Sequence, residues 1–358
     1  MAAGSRWRVV RFALPADPRL DERLRSEPDI ELTVAPFPKT PEEVVAALKD
    51  ADLYHVASAR NEMSTHTFVT ADMLAKFPQL LAVSSYGAGY DSIDVAACTR
   101  AGVAVMCQAG ANRDSVAEHT LGLILAVVHR IGEQDRRMRV EKLTRREDLM
   151  GREVKGMTLG LVGIGQVGTR VAEMAPAFGM KVIATDPFVA PEEIRRRGAE
   201  AVSLEDLIAR SDVVSLHCPR EKTTLGMFGA PQFARMKKGS YFVTTARGGI
   251  HDERALADAL ASGHLAGAGA DVWEPEPPAL DNPLLKLPNV IASFHTAGVT
   301  HEARRNIATM GSDQIVRTLR GERPPRLVNP EVWDVFHARW AVRAGEIASV
   351  AEKPYPRM

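Results

Sequence analysis

Three polar side chains that directly follow apolar stretches suggest chemistry on a small anion. Arg247 comes after the run Tyr241–Ala246 and precedes Gly248 and Gly249. Its guanidinium can grip a carboxylate through two parallel hydrogen bonds. His295, in Ser293-Phe-His-Thr-Ala-Gly298, closes a second apolar run, and an imidazole there can pass a proton near neutral pH. The stretch Asp271-Val-Trp-Glu274-Pro-Glu276-Pro-Pro closes a third. It offers carboxylates that could orient the imidazole and stabilise its charged form. An arginine, a glutamate and a histidine so placed suit hydride transfer to a 2-keto acid. The arginine would bind the acid's carboxylate and polarise its carbonyl, and the histidine would protonate the forming alkoxide.

A site for the hydride carrier lies upstream. Gly163-Ile-Gly165-Gln-Val-Gly168 fits G-x-G-x-x-G, follows the apolar run Leu159–Val162 and opens a helix over Gln166–Phe178. The first glycine permits the tight turn, the second lets the backbone approach a pyrophosphate, and the third lets helix and strand pack closely. Asp186, 23 residues beyond Gly163, ends the apolar run Lys181–Thr185. A carboxylate there accepts hydrogen bonds from an adenosine ribose and repels a 2′-phosphate, so NAD is favoured over NADP. Arg195, Arg196 and Arg197 lie near enough in sequence to count against that preference, unless they form a solvated helix face.

These residues require a scaffold of alternating strands and helices. In the first part, strands are expected at Trp7–Leu14, Asp52–Ser58, Leu80–Tyr86 and Val103–Cys107. Helices are expected at Asp17–Ser26, Pro41–Asp50 and Val95–Ala101. A second series supplies six strands, at Met157–Gly163, Lys181–Asp186, Asp212–Cys218, Tyr241–Ala246, Leu265–Val272 and Asn289–Phe294. Such alternation builds parallel, doubly wound α/β sheets whose ligands bind at the carboxyl ends of the strands. Between the series, Arg113–Arg130 reads as a long helix, apolar on most faces and suited to burial between lobes. Glu133–Lys155, dense in both charge signs, reads as a solvated arm or subunit contact. Beyond Asn329, Trp333, Phe336 and Trp340 should dock a tail on the body, with Lys353–Met358 frayed.

Composition excludes other classes. The 358 residues carry 45 Lys+Arg and 45 Asp+Glu, so no global basic field draws in nucleic acid or an anionic membrane. A 45% hydrophobic content supports large cores rather than disorder. The longest apolar run, Leu121–Val128, falls far short of the roughly 20 residues a membrane span needs. The N-terminus lacks the apolar core of a signal peptide. Cys98, Cys107 and Cys218 form no C-x-x-C, so neither a disulfide framework nor a metal cluster is expected, and a reducing cytoplasm is the natural setting.

From about Leu53 to Asn329 the chain resembles the NAD-dependent D-2-hydroxyacid dehydrogenases, among them phosphoglycerate dehydrogenase and hydroxypyruvate reductase. The resemblance rests on SYGAGYDSIDVAA, SVAEHTLGLIL, GMTLGLVGIGQVG, VVSLHCP, TTARGGIHDERAL, GAGADVWEPEPP and SFHTAG, in that order. It implies that Arg247, Glu276 and His295 are the catalytic arginine, glutamate and histidine. The family's spacing of five residues after Asp271 selects Glu276 over Glu274. It implies that the backbone at Gln166 and Val167 meets the pyrophosphate and that Asp186 holds the adenosine ribose. Pro219 would line the adenine side, while Thr245 and Arg247 would flank the nicotinamide. Asp271 would hold the carboxamide, and His295 and Gly298 would complete the cofactor contacts. Gly87 and Ala88 would present backbone N–H groups to the substrate carboxylate, with Arg247 and His295.

The resemblance further implies two Rossmann-like doubly wound lobes. A substrate lobe of residues 1–108 and 295–330 would be interrupted by a dinucleotide lobe of residues 109–294, with 331–358 as a tail. It implies a small D-2-hydroxy or 2-keto acid substrate, a homodimer, and no membrane, nucleic-acid or metal partner. The chain departs from the family at Phe294, where proline usually precedes the histidine. It departs again at Ser58 and Ala59, where phosphate-binding relatives carry cations, although Arg60 remains. It is also expected to stop short of the regulatory C-terminal domain of longer relatives. The alternative is an NAD(H)-sensing binding protein on the same fold, like the family's corepressors.

Overall fold

The computed structural model describes residues 6–14, 16–58, 64–142 and 145–351. Ala59, Arg60 and Lys353–Met358 lie outside them. The chain divides into two compact units. Unit 1 is Met1–Asn112 with His301–Met358, and unit 2 is Arg113–Thr300.

Unit 1 opens with β1 (Trp7–Phe12), α1 (Arg19–Arg25), β2 (Ile30–Ala35), α2 (Pro41–Leu48) and β3 (Leu53–Val56). It continues with α3 (Ala71–Lys76), β4 (Ala82–Ser85), α4 (Val95–Arg100) and β5 (Ala104–Met106). The strands form a parallel sheet in the order β2-β1-β3-β4-β5. Helix starts follow local chemistry: Thr40 caps Glu43 N with Pro41 at the first turn, and Asp94 caps Ala97 N. The edge strand β2 is absent from the strands expected above. Its residues, IELTVA, lie at the sheet edge and are only partly buried, so they lack the apolar density of the central strands.

Unit 2 begins with α5 (Arg113–Val128) and α6 (Ile131–Met138). Ser115 is not an N-cap for α5; its hydroxyl donates to Ala297 O at 2.5 Å. The charged residues of α6 pair along the helix, Arg139 with Asp135 and Arg137 with Glu133, as a solvated face does. Then follow β6 (Thr158–Val162), α7 (Gln166–Met174), β7 (Lys181–Thr185), α8 (Pro191–Arg196), β8 (Glu200–Ala201) and α9 (Leu204–Arg210). The unit closes with β9 (Val213–Leu216), α10 (Ala230–Arg235), β10 (Ser240–Thr244), α11 (Glu253–Ala261), β11 (Leu265–Ala270) and β12 (Val290–Ala292).

The sheet of unit 2 has seven strands rather than six, in the order β12-β11-β10-β9-β6-β7-β8. The extra strand is β8, whose two residues are too few to leave a sequence pattern. Every pairing is parallel, and the order reverses between β6 and β9, where a doubly wound sheet binds its ligand. One face packs Leu159, Leu161 and Val243 against Ala117, Ile124 and Val128 of α5. The other packs Val214, Leu216 and Phe242 against Leu207 of α9 and Leu256 of α11.

The chain returns to unit 1 with α12 (His301–Leu319) and α13 (Trp333–Ala351). The segment beyond residue 330 is therefore not a separate tail. Phe336 is buried with Trp7 and Leu20, Trp340 stacks on Trp7, and Arg343 pairs with the buried Asp52 at 2.7 Å. The boundaries also differ from 108/109 and 294/295. Arg326 Nε donates to Ala109 O, which keeps Ala109 with unit 1, while Asp271 binds residues 295–297 into unit 2.

Candidate active site

Gly163 has a φ of +94°, and a Cβ there would meet His217 C and Cys218 N at 2.9 Å. Gly168 lies so close to the carbonyl of Gly163 that no side chain fits. By contrast, a Cβ on Gly165 would enter open space. The loop thus leaves room over its second glycine, at the amino end of the nine-residue α7. Among the described residues, no protein acceptor takes the N–H groups of Gln166, Val167 and Gly168. Such a cradle fits a pyrophosphate. Beneath it, burial pushes the His217 imidazole down to about 4, and Ser215 Oγ lies 2.9 Å from its Nε2.

Asp186 directly follows β7. Its Oδ2 accepts from Ile164 N at 3.0 Å and its Oδ1 from Phe188 N at 3.0 Å, which fixes the carboxylate beside the glycine loop. The three arginines downstream are engaged. Arg195 pairs with Glu192, Arg196 with Glu193, and Arg197 with Glu193 and Ile164 O. Pro219 begins the loop after β9, where Thr224 Oγ1 donates to its carbonyl at 2.7 Å.

Arg247, Asp271 and His295 follow β10, β11 and β12, which are neighbours in the sheet, so all three lie at one edge of unit 2. His295 Nδ1 is 2.9 Å from Glu276 Oε2, and Glu276 Oε1 accepts from Trp273 N at 2.9 Å. Ring atom Nε2 of His295 is left facing away from the glutamate. Glu274 is occupied elsewhere: Arg220 Nη1 is 2.7 Å from its Oε2 and Glu253 Oε1 accepts from its N–H. Burial raises the Glu253 carboxyl above its ordinary range. Arg247 Nη1 donates to Ala246 O at 2.7 Å. Thr245 Oγ1 lies 3.0 Å from Thr120 Oγ1 of α5.

His295 has a left-handed backbone, φ +54°, which costs a non-glycine residue about 1–3 kcal/mol. Asp271, fully buried, holds this turn. Its carbonyl accepts from His295 N at 2.7 Å. Its Oδ1 accepts from Ser293 Oγ at 2.6 Å and Thr296 N at 2.9 Å, and its Oδ2 from Ala297 N at 2.9 Å. One acceptor position remains on Oδ2, which a carboxamide N–H could use. Gly298 follows directly. Phe294 is 82% exposed. Ser293, Trp273, Glu253 and His119 also take part in this site's hydrogen-bond network, with no role assigned to them from sequence. All four lie inside the quoted motifs, His119 in SVAEHTLGLIL, Glu253 in TTARGGIHDERAL, Trp273 in GAGADVWEPEPP and Ser293 in SFHTAG, but nothing in those motifs says which distant residue each one meets.

Gly87 and Ala88 lie in unit 1, in the turn after β4. Gly87 O accepts from Gln108 N at 2.9 Å, and Ser58 Oγ lies 2.6 Å from where a Cβ on Gly87 would sit.

A seven-stranded doubly wound sheet with a glycine cradle, a ribose-side aspartate and a paired glutamate–histidine defines the dinucleotide-dependent class of α/β protein. Residues 121–297 match the model of the D-isomer specific 2-hydroxyacid dehydrogenase NAD-binding domain. The chain is 39% identical over 267 residues to the glyoxylate reductase of Korarchaeum cryptofilum, covering 74% of this chain and 80% of that protein. It is 41% identical over 257 residues to the D-3-phosphoglycerate dehydrogenase of Archaeoglobus fulgidus, covering 72% of this chain and 49% of that protein. The chain therefore spans about half the length of the phosphoglycerate dehydrogenases it matches. The crystal structure of a glyoxylate reductase from Paecilomyes thermophila superposes with a TM-score of 0.81 at 28% identity, covering 91% of this chain and 99% of that one. The chain belongs to the D-isomer specific 2-hydroxyacid dehydrogenase family, and unit 2 carries the family's NAD-binding domain. No helix among the described residues is long and apolar enough to cross a membrane.

Proposed function

We propose that the protein is an NAD(H)-dependent oxidoreductase acting between a small D-2-hydroxy acid and its 2-keto form. The observation that carries this is the 2.9 Å His295–Glu276 pair at the strand edge that also bears Arg247. A bound nicotinamide would supply or accept the hydride. Arg247 binds the substrate carboxylate and polarises the carbonyl. His295, oriented through Nδ1 by Glu276, presents Nε2 to protonate the alkoxide oxygen. Asp271 receives the carboxamide and Thr245 flanks the ring. The N–H groups of Gln166 and Val167 receive the pyrophosphate, and Pro219 lines the adenine side. Gly87 and Ala88 are the proposed substrate contacts of unit 1.

NAD is the proposed cofactor over NADP. Asp186 would repel a 2′-phosphate, and the three nearby arginines are already paired with glutamates. An unphosphorylated acid is proposed because the side chain against Gly87 is the Ser58 hydroxyl rather than a cation. We place the enzyme as a homodimer in the cytoplasm, with the charged stretch Glu133–Lys155 as the subunit contact.

The test mixes the protein with NADH or NADPH and a panel of glyoxylate, hydroxypyruvate, pyruvate and 2-ketobutyrate, following absorbance of the reduced cofactor. Consumption of NADH with at least one acid, and faster than NADPH, is expected. Tight NADH binding with no consumption would instead favour an NAD(H)-sensing protein.

A further inference from the structure

His119 sits on the second turn of α5 and has no place in the scheme above. Its Nε2 lies 3.0 Å from Ser293 Oγ and 3.7 Å from Asp271 Oδ1. Ser293 Oγ lies 2.6 Å from Asp271 Oδ1. A serine hydroxyl has a single hydrogen, and a carboxylate only accepts. Ser293 must therefore donate to Asp271 and accept from His119, which places a hydrogen on His119 Nε2. The result is a directed chain from α5 to the carboxylate that pins the turn bearing His295. The same helix also meets Thr245 through Thr120. Thr120 spends its own hydrogen on Val116 O, so Thr245 donates to it.

We propose that His119 is a positioning residue for His295, acting through Ser293 and Asp271. This rests on the dehydrogenase function proposed above. The turn needs such support because its left-handed φ at His295 is unfavourable and persists only when neighbouring bonds over-determine it. Without the His119 donor, Ser293 Oγ loses the partner that fixes its rotamer, which loosens the hydroxyl that ties Asp271 to the residue after β12. Asp271 keeps its bonds to Thr296 N and Ala297 N, so the turn stays folded while the His295 ring loses part of its fixed presentation to Glu276.

The experiment compares wild type with His119→Leu, which keeps bulk without a donor, and His119→Gln, whose amide can donate to Ser293. In the leading substrate assay, His119→Leu should lower kcat about tenfold to a hundredfold with the keto-acid KM within about twofold. His119→Gln should recover most of kcat. Ser293→Ala should resemble His119→Leu, and the double variant should lose no more than either single one. An independent readout uses the protein without cofactor. Ring-nitrogen chemical shifts of His295 should report the Nδ1–H tautomer in wild type and His119→Gln, and a tautomer mixture in His119→Leu. An inactive wild type would count against the dehydrogenase function, and the tautomer comparison would still decide the positioning role. Unchanged kcat and unchanged His295 shifts in His119→Leu would overturn the proposal. So would equal losses of activity and melting temperature in the leucine and glutamine variants with the tautomer intact.

Discussion

In unit 1 the turn after β4 is held by amides and hydroxyls. Gln108 Nε2 donates to Ser85 O, Gln314 Nε2 donates to Gln108 Oε1 and Cys107 O, and His55 Nδ1 meets Ser84 Oγ at 3.0 Å. The turn after β12 in unit 2 is held by a carboxylate and flanked by two histidines and a glutamate. Both networks sit at the carboxyl edge of a parallel sheet, and both fix a turn proposed to touch substrate. They differ in whether they carry charge. Burial pushes His55 down to about 4, so the unit 1 network stays neutral at physiological pH. A neutral network can present a backbone but cannot exchange a proton, whereas the network of unit 2 adjoins His295, the residue proposed above to transfer one.

The largest test of that difference removes the proton donor. His295→Ala should lower turnover by about 100- to 10,000-fold. NADH affinity, read by fluorescence titration, should stay within a few fold of wild type. A matching collapse of NADH binding would show that the imidazole supports the cofactor site rather than the proton transfer. The corresponding change in unit 1 should act on stability. Gln314 is fully buried and its side chain makes three hydrogen bonds, the third accepting from Arg326 N at 2.9 Å. Gln314→Leu keeps the volume but orphans Cys107 O, Gln108 Oε1 and Arg326 N. We expect about 2–4 kcal/mol of lost stability in denaturant titration, with KM for the acid rising more than kcat falls. A fall in kcat alone would erase the distinction between the two networks.

Much of the site was visible in sequence because its signals are short. The glycine cradle, the aspartate just after β7 and the strand-end motifs each occupy a few consecutive residues. Position 276 was separated from position 274 only by a family spacing. In the structure Arg220 and Glu253 engage Glu274, and Glu276 is the carboxylate that meets His295. What escaped notice depends on distance along the chain. His119 and Ser293 are 174 residues apart, and Gln108 and Gln314 are 206. No periodicity couples residues so far apart, and each alone reads as an ordinary polar residue in an apolar segment. The strands β2 and β8 leave little signal in the sequence for a local reason, β8 also because it has only two residues. Both sit at sheet edges, where burial imposes little pattern.

The smallest expected effect concerns a buried histidine that belongs to neither network. His251 is 3% exposed, packs against the Phe242 ring, and has no partner for either ring nitrogen among the described residues. Burial pushes it down to about 4, as it does His55 and His217. Each of the three is neutral in the fold, while its unfolded counterpart takes up a proton below the ordinary histidine value of 6.5. The unfolded chain then binds more protons, so stability should be level above about pH 6.5 and fall between there and about pH 4. His55 and His217 each hold a hydrogen bond that offsets part of the cost of burying a ring, but His251 holds none. His251→Leu removes two orphaned polar atoms at similar volume, so it should raise stability by about 1–2 kcal/mol at pH 7. It should also shallow the acid loss, so the gain over wild type grows as pH falls from 7 to 5. A thermal melt at both pH values measures this. A variant that melts lower at pH 7, or whose advantage does not widen at pH 5, would show that the His251 ring nitrogens are satisfied in solution.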